Sequence, residues 1–193
     1  MPNWCSTAYV IEGNAKEVKE LYELMKDLQE RKEPSVENGF GTTWLGCLVD
    51  ALGGDWNKIE CRGDWNSLEL VGDTLRFTTE TAWAPCMETF YLVCKKFPSI
   101  RCFYQTEEPG MALYATNDKD GKYFSDKYLV DMYTPDKEYY HEYFSDLPSL
   151  YEWLADILEK PVKSEEDVNA IIGTWQEDDD TAYCYIYPFQ IED

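Results

Sequence analysis

Hydrophobic periodicity switches in a set order along the first 132 residues, and that order constrains the fold more than any other feature of the chain. Residues 5–12 alternate and are rich in strand formers (Thr7, Tyr9, Val10, Ile11) until Gly13-Asn14 breaks the run. Val18, Leu21, Tyr22, Met25 and Leu28 then repeat at helical spacing, which predicts a helix over 15–31. Asn14 suits its N-cap, Glu17 stands in capping-box position, and Pro34 lies just past its end. Residues 67–71 and 74–81 alternate around Gly72-Asp73 and predict a hairpin. A helix is expected over 85–97, with Pro85 in its first turn and Pro98 closing it. Strands follow over 100–106, 111–116 and 122–132, with turns at 107–110 and 117–121. The order strand, helix, strand, strand, helix, strand is that of the split βαβ, ferredoxin-like arrangement. The expected class is therefore α+β, with a mainly antiparallel sheet extended by additional strands. Residues 34–65, rich in Gly and Trp, read as a long excursion with one short strand near Trp44–Val49.

From Tyr133 on the composition changes. That segment carries 16 acidic and 3 basic residues, so it holds −13 of the formal net charge of −21. It still has apolar stripes: Leu150, Trp153, Leu154, Ile157 and Leu158 on an expected helix over 148–160, and Tyr183, Tyr185, Tyr187 and Phe189 on an expected strand over 181–190. Ser164 is positioned to cap a further short helix. Apolar stripes are buried when a chain folds, so the expected organisation is a core domain over 1–132 and an acidic C-terminal extension over 133–193 packed on it.

The charge limits the classes of partner. With 38 acidic against 17 basic residues, the surface repels phosphate backbones and anionic headgroups. Direct nucleic-acid and membrane binding are not expected; the charge permits a basic protein partner, divalent cations or no charged partner at all, and plain solubility accounts for it as well. The 44% apolar content places this charge on a folded surface and not on a disordered chain. The opening residues lack a basic n-region and a long apolar stretch, which gives a cytoplasmic expectation. The seven cysteines show no C-x-x-C and no zinc spacing, so they are expected to be reduced and structural, and those among apolar residues, Cys94 and Cys102 included, to be buried free thiols.

No motif identifies a reaction. His141 is the only histidine, and neither G-x-S-x-G nor a phosphate-cradling loop occurs. Metal ligands and a cofactor are not expected. Glu107 and Glu108 form a carboxylate pair beside Pro109-Gly110, although a solvated turn accounts for the same residues. Trp4, Trp44 and Trp83 fall at expected strand ends, where they can converge with Glu107 and Glu108 into an aromatic cleft or serve as core and rim packing. The run Glu177, Asp178, Asp179 and Asp180 lacks EF-hand spacing and reads as an acidic surface.

Four segments together carry a resemblance. They are Met1-Pro2-Asn3-Trp4-Cys5 leading into a strand, Gly13 and a helix; Phe40-Gly41-Thr42-Thr43-Trp44; the strand entering Thr81-Ala82-Trp83-Ala84-Pro85; and Phe97-Pro98 followed by a strand and Glu107-Glu108-Pro109-Gly110. In these the chain resembles the YubB ferredoxin-like family of bacterial proteins carried on plasmids, phages and genomic islands, over roughly residues 1–132. The resemblance implies the fold and a mobile-element setting, and brings no activity with it. The leading expectation is a non-catalytic protein-interaction protein. The alternatives are an acidic DNA mimic that inhibits a host nucleic-acid-binding protein, and an enzyme with a Trp/Glu-lined small-molecule cleft.

Overall fold

The computed structural model describes residues 3–175 and 181–192, and the chain divides into two compact units, Met1–Lys119 with Ile191–Asp193, and Asp120–Gln190. The class is α+β.

In the first unit, β1 (Trp4–Glu12) sends Cys5, Thr7, Tyr9 and Ile11 to one face, all buried. Helix α1 (Ala15–Gln29) lays Val18, Leu21, Met25 and Leu28 on the same core, and the Asn14 side chain caps it by accepting from Glu17 N at 2.9 Å. Helix α2 (Leu45–Ala51) stands where a short strand was expected. Leu45 to Val49 are buried without a break, and a continuous apolar run carries no period that distinguishes a buried strand from a buried helix. Strands β2 (Gly63–Val71) and β3 (Thr74–Ala82) form the hairpin, turning at Gly72 with φ +60°. Helix α3 (Met87–Lys96) leads into β4 (Arg101–Glu108). Glu107 and Glu108, expected in a turn, are the last two residues of β4; the turn is the 3-10 segment Pro109–Met111, capped by Glu108. Strand β5 (Leu113–Thr116) follows.

The sheet order is β2-β3-β1-β4-β5, completed by a two-residue strand at Gln190–Ile191. β1 lies antiparallel to both β3 and β4. All three helices contribute to one apolar cluster with Tyr9, Ile11, Trp65, Leu75, Phe77 and Tyr104, so they cover one face of the sheet.

The second unit is a three-stranded antiparallel sheet, order β7-β6-β8, from β6 (Tyr128–Tyr133), β7 (Tyr139–Phe144) and β8 (Tyr183–Pro188). Helices α4 (Leu147–Leu158) and α5 (Glu165–Trp175) pack Leu150, Leu154, Val168, Ile171 and Ile172 against Val130 and Met132. The Asp146 carboxylate caps α4 through Ser149 N at 2.8 Å, and Ser164 Oγ caps α5 by accepting from Asp167 N at 3.3 Å. The division falls at Lys119 and not at Tyr133, because β6 pairs with β7 and β8.

The β8 tyrosine stripe does not face this core. Cys184 and Ile186 do, and Tyr185 is 54% exposed on the opposite face. There Tyr183 and Tyr185 stack at 5.2 Å, Tyr183 donates to Asp131 at 3.2 Å, and His141 lies between the hydroxyls of Tyr139 and Tyr143. Tyrosine is as stable half-exposed in a sheet as inside a core when its hydroxyl has a polar partner, so alternation alone did not identify the buried side.

Candidate functional site

The site arises from a break in the β2–β3 register. Near the turn the pairs are Val71↔Thr74, Leu70↔Leu75 and Glu69↔Arg76; beyond it they are Asn66↔Thr78, Trp65↔Thr79 and Asp64↔Glu80. Ser67 and Leu68 of β2 therefore oppose Phe77 alone, a β-bulge, and Ser67 takes the left-handed conformation with φ +55°. The extra residue reverses the phase of alternation. Leu68 and Leu70 face the helices on one side of the bulge, and Trp65 does so on the other. Asp64 and Asn66 are thereby turned to the face away from the helices, next to Glu80.

Asp64 and Glu80 stand directly opposite each other on neighbouring strands. Like charges in that position repel, and their Cβ atoms are separated by roughly 5 Å. Glu80 is held by Ser6 Oγ, which donates to it at 2.8 Å. Oδ1 of Asp64 is buried and has no hydrogen-bond partner among the described residues. Burial pushes the Asp64 carboxyl above the usual aspartate range.

The two carboxylates, with Asn66, Thr43, Trp4 and Phe40, line a cavity of ≈ 470 Å³. Its aromatic walls are open to solvent: Trp4 is 53% and Phe40 67% exposed. The loop that carries Phe40 is built by Asn38, whose Oδ1 accepts from Phe40 N at 2.6 Å and from Gly41 N at 2.9 Å, with Gly41 at φ +109°. Phe40 in turn stacks on Trp44 at 5.9 Å.

Trp44, Trp56 and Trp83 line a second cavity of ≈ 530 Å³ together with Lys58, Glu60 and Arg62. Trp44 is buried, with its ring edge-on to Trp56 at 5.5 Å. Trp83 is held at φ +74°, uncommon for a bulky side chain, and its N–H donates to Asn3 O at 2.9 Å. Cys61 and Cys86 also border this cavity, but burial raises both thiols, Cys86 to about 12, so neither is an activated nucleophile.

Of the residues singled out from the sequence, Trp44 and Trp83 share the second cavity and Trp4 lines the first. Glu107 and Glu108 line neither. Adjacent residues of a strand point to opposite faces, so these two do not act as a pair. Glu108 is buried beside Cys5, with Oε1 accepting from Gly110 N at 3.2 Å and Oε2 without a partner among the described residues. Glu177, Asp178, Asp179 and Asp180 lie outside the described residues. Among the described residues no group of three or more His, Cys, Asp or Glu side chains is arranged to hold a metal ion, and no helix is long and apolar enough to cross a membrane.

Phe40, Thr43, Asp64, Asn66 and Glu80 are the site residues that sequence reasoning missed. One signal for them was present: Asp64-Trp65-Asn66 alternates in the opposite phase to Leu68 and Leu70. Comparison with protein-family models, with curated proteins and with solved structures finds no match to this chain.

Proposed function

We propose that this chain is a binding protein whose first unit recognises a protonated amine or guanidinium group, as carried by lysine or arginine side chains of a basic partner protein. The observation that carries this reading is the Asp64–Glu80 pair in one cavity with the exposed side chains of Trp4 and Phe40. A cation relieves the repulsion of two facing carboxylates, satisfies the unpartnered oxygen of Asp64, and gains from the faces of the two aromatic rings. The net charge of −21 adds a long-range field that draws cations toward the surface.

The same proposal assigns the first unit to the ferredoxin-like fold. The strand order β2-β3-β1-β4 with helical crossovers on one face supports that assignment. A YubB-like origin on a bacterial mobile element completes the proposal and rests on the sequence motifs alone.

Titration of the intrinsic tryptophan fluorescence with a short arginine-containing peptide tests the reading. Glu80→Gln and Trp4→Ala are expected to weaken binding about tenfold each, roughly 1.4 kcal/mol. Equal affinity for an uncharged peptide of the same length overturns it. A second reading, acid–base chemistry on a bound substrate, is favoured by the raised Asp64 carboxyl opposite a second carboxylate. It requires turnover that Asp64→Asn abolishes, whereas a binding site shows none.

A further inference from the structure

Cys94 in the last turns of α3 and Cys102 at the start of β4 bring their sulfurs to 3.4 Å. The connection between them is short and firmly held. Phe97 N donates to Val93 O at 2.9 Å, and Ile100 N donates to Phe97 O at 3.0 Å. Ser99 is tied to the start of α1: its N and Oγ donate to Glu17 Oε2 at 2.9 and 2.7 Å, and its Oγ accepts from Asn14 Nδ2 at 2.7 Å. Helix end and strand start are thus fixed relative to each other, and the thiol contact is preorganised.

The other thiols lie in different surroundings. Cys5, Cys47, Cys61 and Cys86 are buried, while Cys94 and Cys102 are half-buried at the margin of the apolar cluster. Both pack against the apolar cluster of the first unit as free thiols, but they are partly buried where full burial was expected.

We propose that Cys94 and Cys102 form a peroxide-reactive dithiol, in which Cys94 is oxidised by a hydroperoxide and Cys102 resolves the product to a disulfide that joins α3 to β4. In the first step the Cys94 thiolate attacks one oxygen of hydrogen peroxide. The S–O bond forms, the O–O bond breaks, and the departing hydroxide takes a proton and leaves as water. In the second step the Cys102 sulfur attacks the Cys94 sulfenic acid. The S–S bond forms, the S–O bond breaks, and the proton of Cys102 leaves with the oxygen as a second water. In sum, two thiols lose two protons and two electrons, and one peroxide becomes two waters. The sulfurs need to close from 3.4 Å to about 2.05 Å, a movement within reach of side-chain rotation.

Electrostatics act in the same direction. The hydrogen bond from Cys102 lowers the Cys94 thiol to about 7, and the same contact holds Cys102 well above the usual range. Cys94 is then the thiol that ionises more readily, and Cys102 the one that retains the proton the second step uses. Burial puts Cys184, the other half-buried thiol, at about 12.

The test uses the full-length protein with equimolar hydrogen peroxide at pH 7, followed by peptide mass mapping without reductant. The expected product is a Cys94–Cys102 crosslink about 2 Da lighter than the two free peptides, formed at least about tenfold faster than any oxidation of Cys184. Cys102→Ser should accumulate a Cys94 sulfenic acid that dimedone traps, and Cys94→Ser should abolish crosslink and adduct alike. The proposal is overturned if the parent protein gives no crosslink while other thiols oxidise, or if Cys94→Ser consumes peroxide as fast as the parent. Mapping of the parent decides the matter even where a variant folds poorly.

Discussion

Asp64 shows what the proposed binding role costs the fold that carries it. Its carboxyl is half-buried, faces Glu80 across the strands, and has one buried oxygen without a partner among the described residues. Its folded-state value is raised, so the native protein binds more protons than the unfolded chain between the ordinary aspartate value, about 3.9, and the raised value. Over that interval stability falls as pH rises, and the loss is complete above it. Asp64→Asn removes the loss. The variant is expected to be about 0.5 kcal/mol more stable than the parent at pH 7, the scale of a like-charge cross-strand pair, with the gain disappearing near pH 3, where Asp64 is protonated in both states. Urea unfolding at the two pH values measures this. A variant that is less stable than the parent at pH 7 would mean that Asp64 has a native partner and is not under strain. The same substitution should reduce cation binding, the usual opposition between stability and function at a binding residue.

At the scale of elements, the bulge in β2 decides which side chains meet. Ser67 sits at φ +55°, a conformation that costs an L-residue roughly 1 kcal/mol and glycine almost nothing. Ser67→Gly should therefore keep the site and raise stability by about 0.5 kcal/mol, after allowance for the greater freedom of glycine in the unfolded chain. Deleting Ser67 acts differently. It restores uninterrupted alternation, so either Trp65 leaves the core or Leu68 and Leu70 do, at a cost of about 3 kcal/mol or more. Urea midpoints of the two variants, with the peptide titration run on each, separate these outcomes; a deletion variant that retains both stability and binding would remove the bulge from the account. Helix α2 shows the same dependence on context, since a run buried on every side becomes helix or strand according to what surrounds it.

For the whole molecule, charge limits the partners that the proposed function allows. A surface of net charge −21 should form no complex with random duplex DNA at ~10 μM and physiological salt, checked by gel shift, and binding of an arginine peptide should weaken as salt rises. A stable duplex complex would reveal a basic face. The acidic run Glu177 to Asp180, on which mimicry of DNA would partly rest, lies outside the described residues. The order of strands and helices apart from α2, the helix faces built from Val18 to Leu28 and from Leu150 to Leu154, and the caps at Asn14 and Ser164 were legible in the sequence. Each depends on residues within a few positions of one another, and local periodicity and capping chemistry report such relations directly. Which face of β8 is buried, where the first unit ends, and which side chains form the site were decided by tertiary structure. Side-chain direction in a strand has period two, so one extra residue at Ser67 reverses every position beyond it, and only the pairing partner shows where the reversal falls. Residues 4, 40, 64 and 80 are distant in the chain, and packing alone brings them to one cavity.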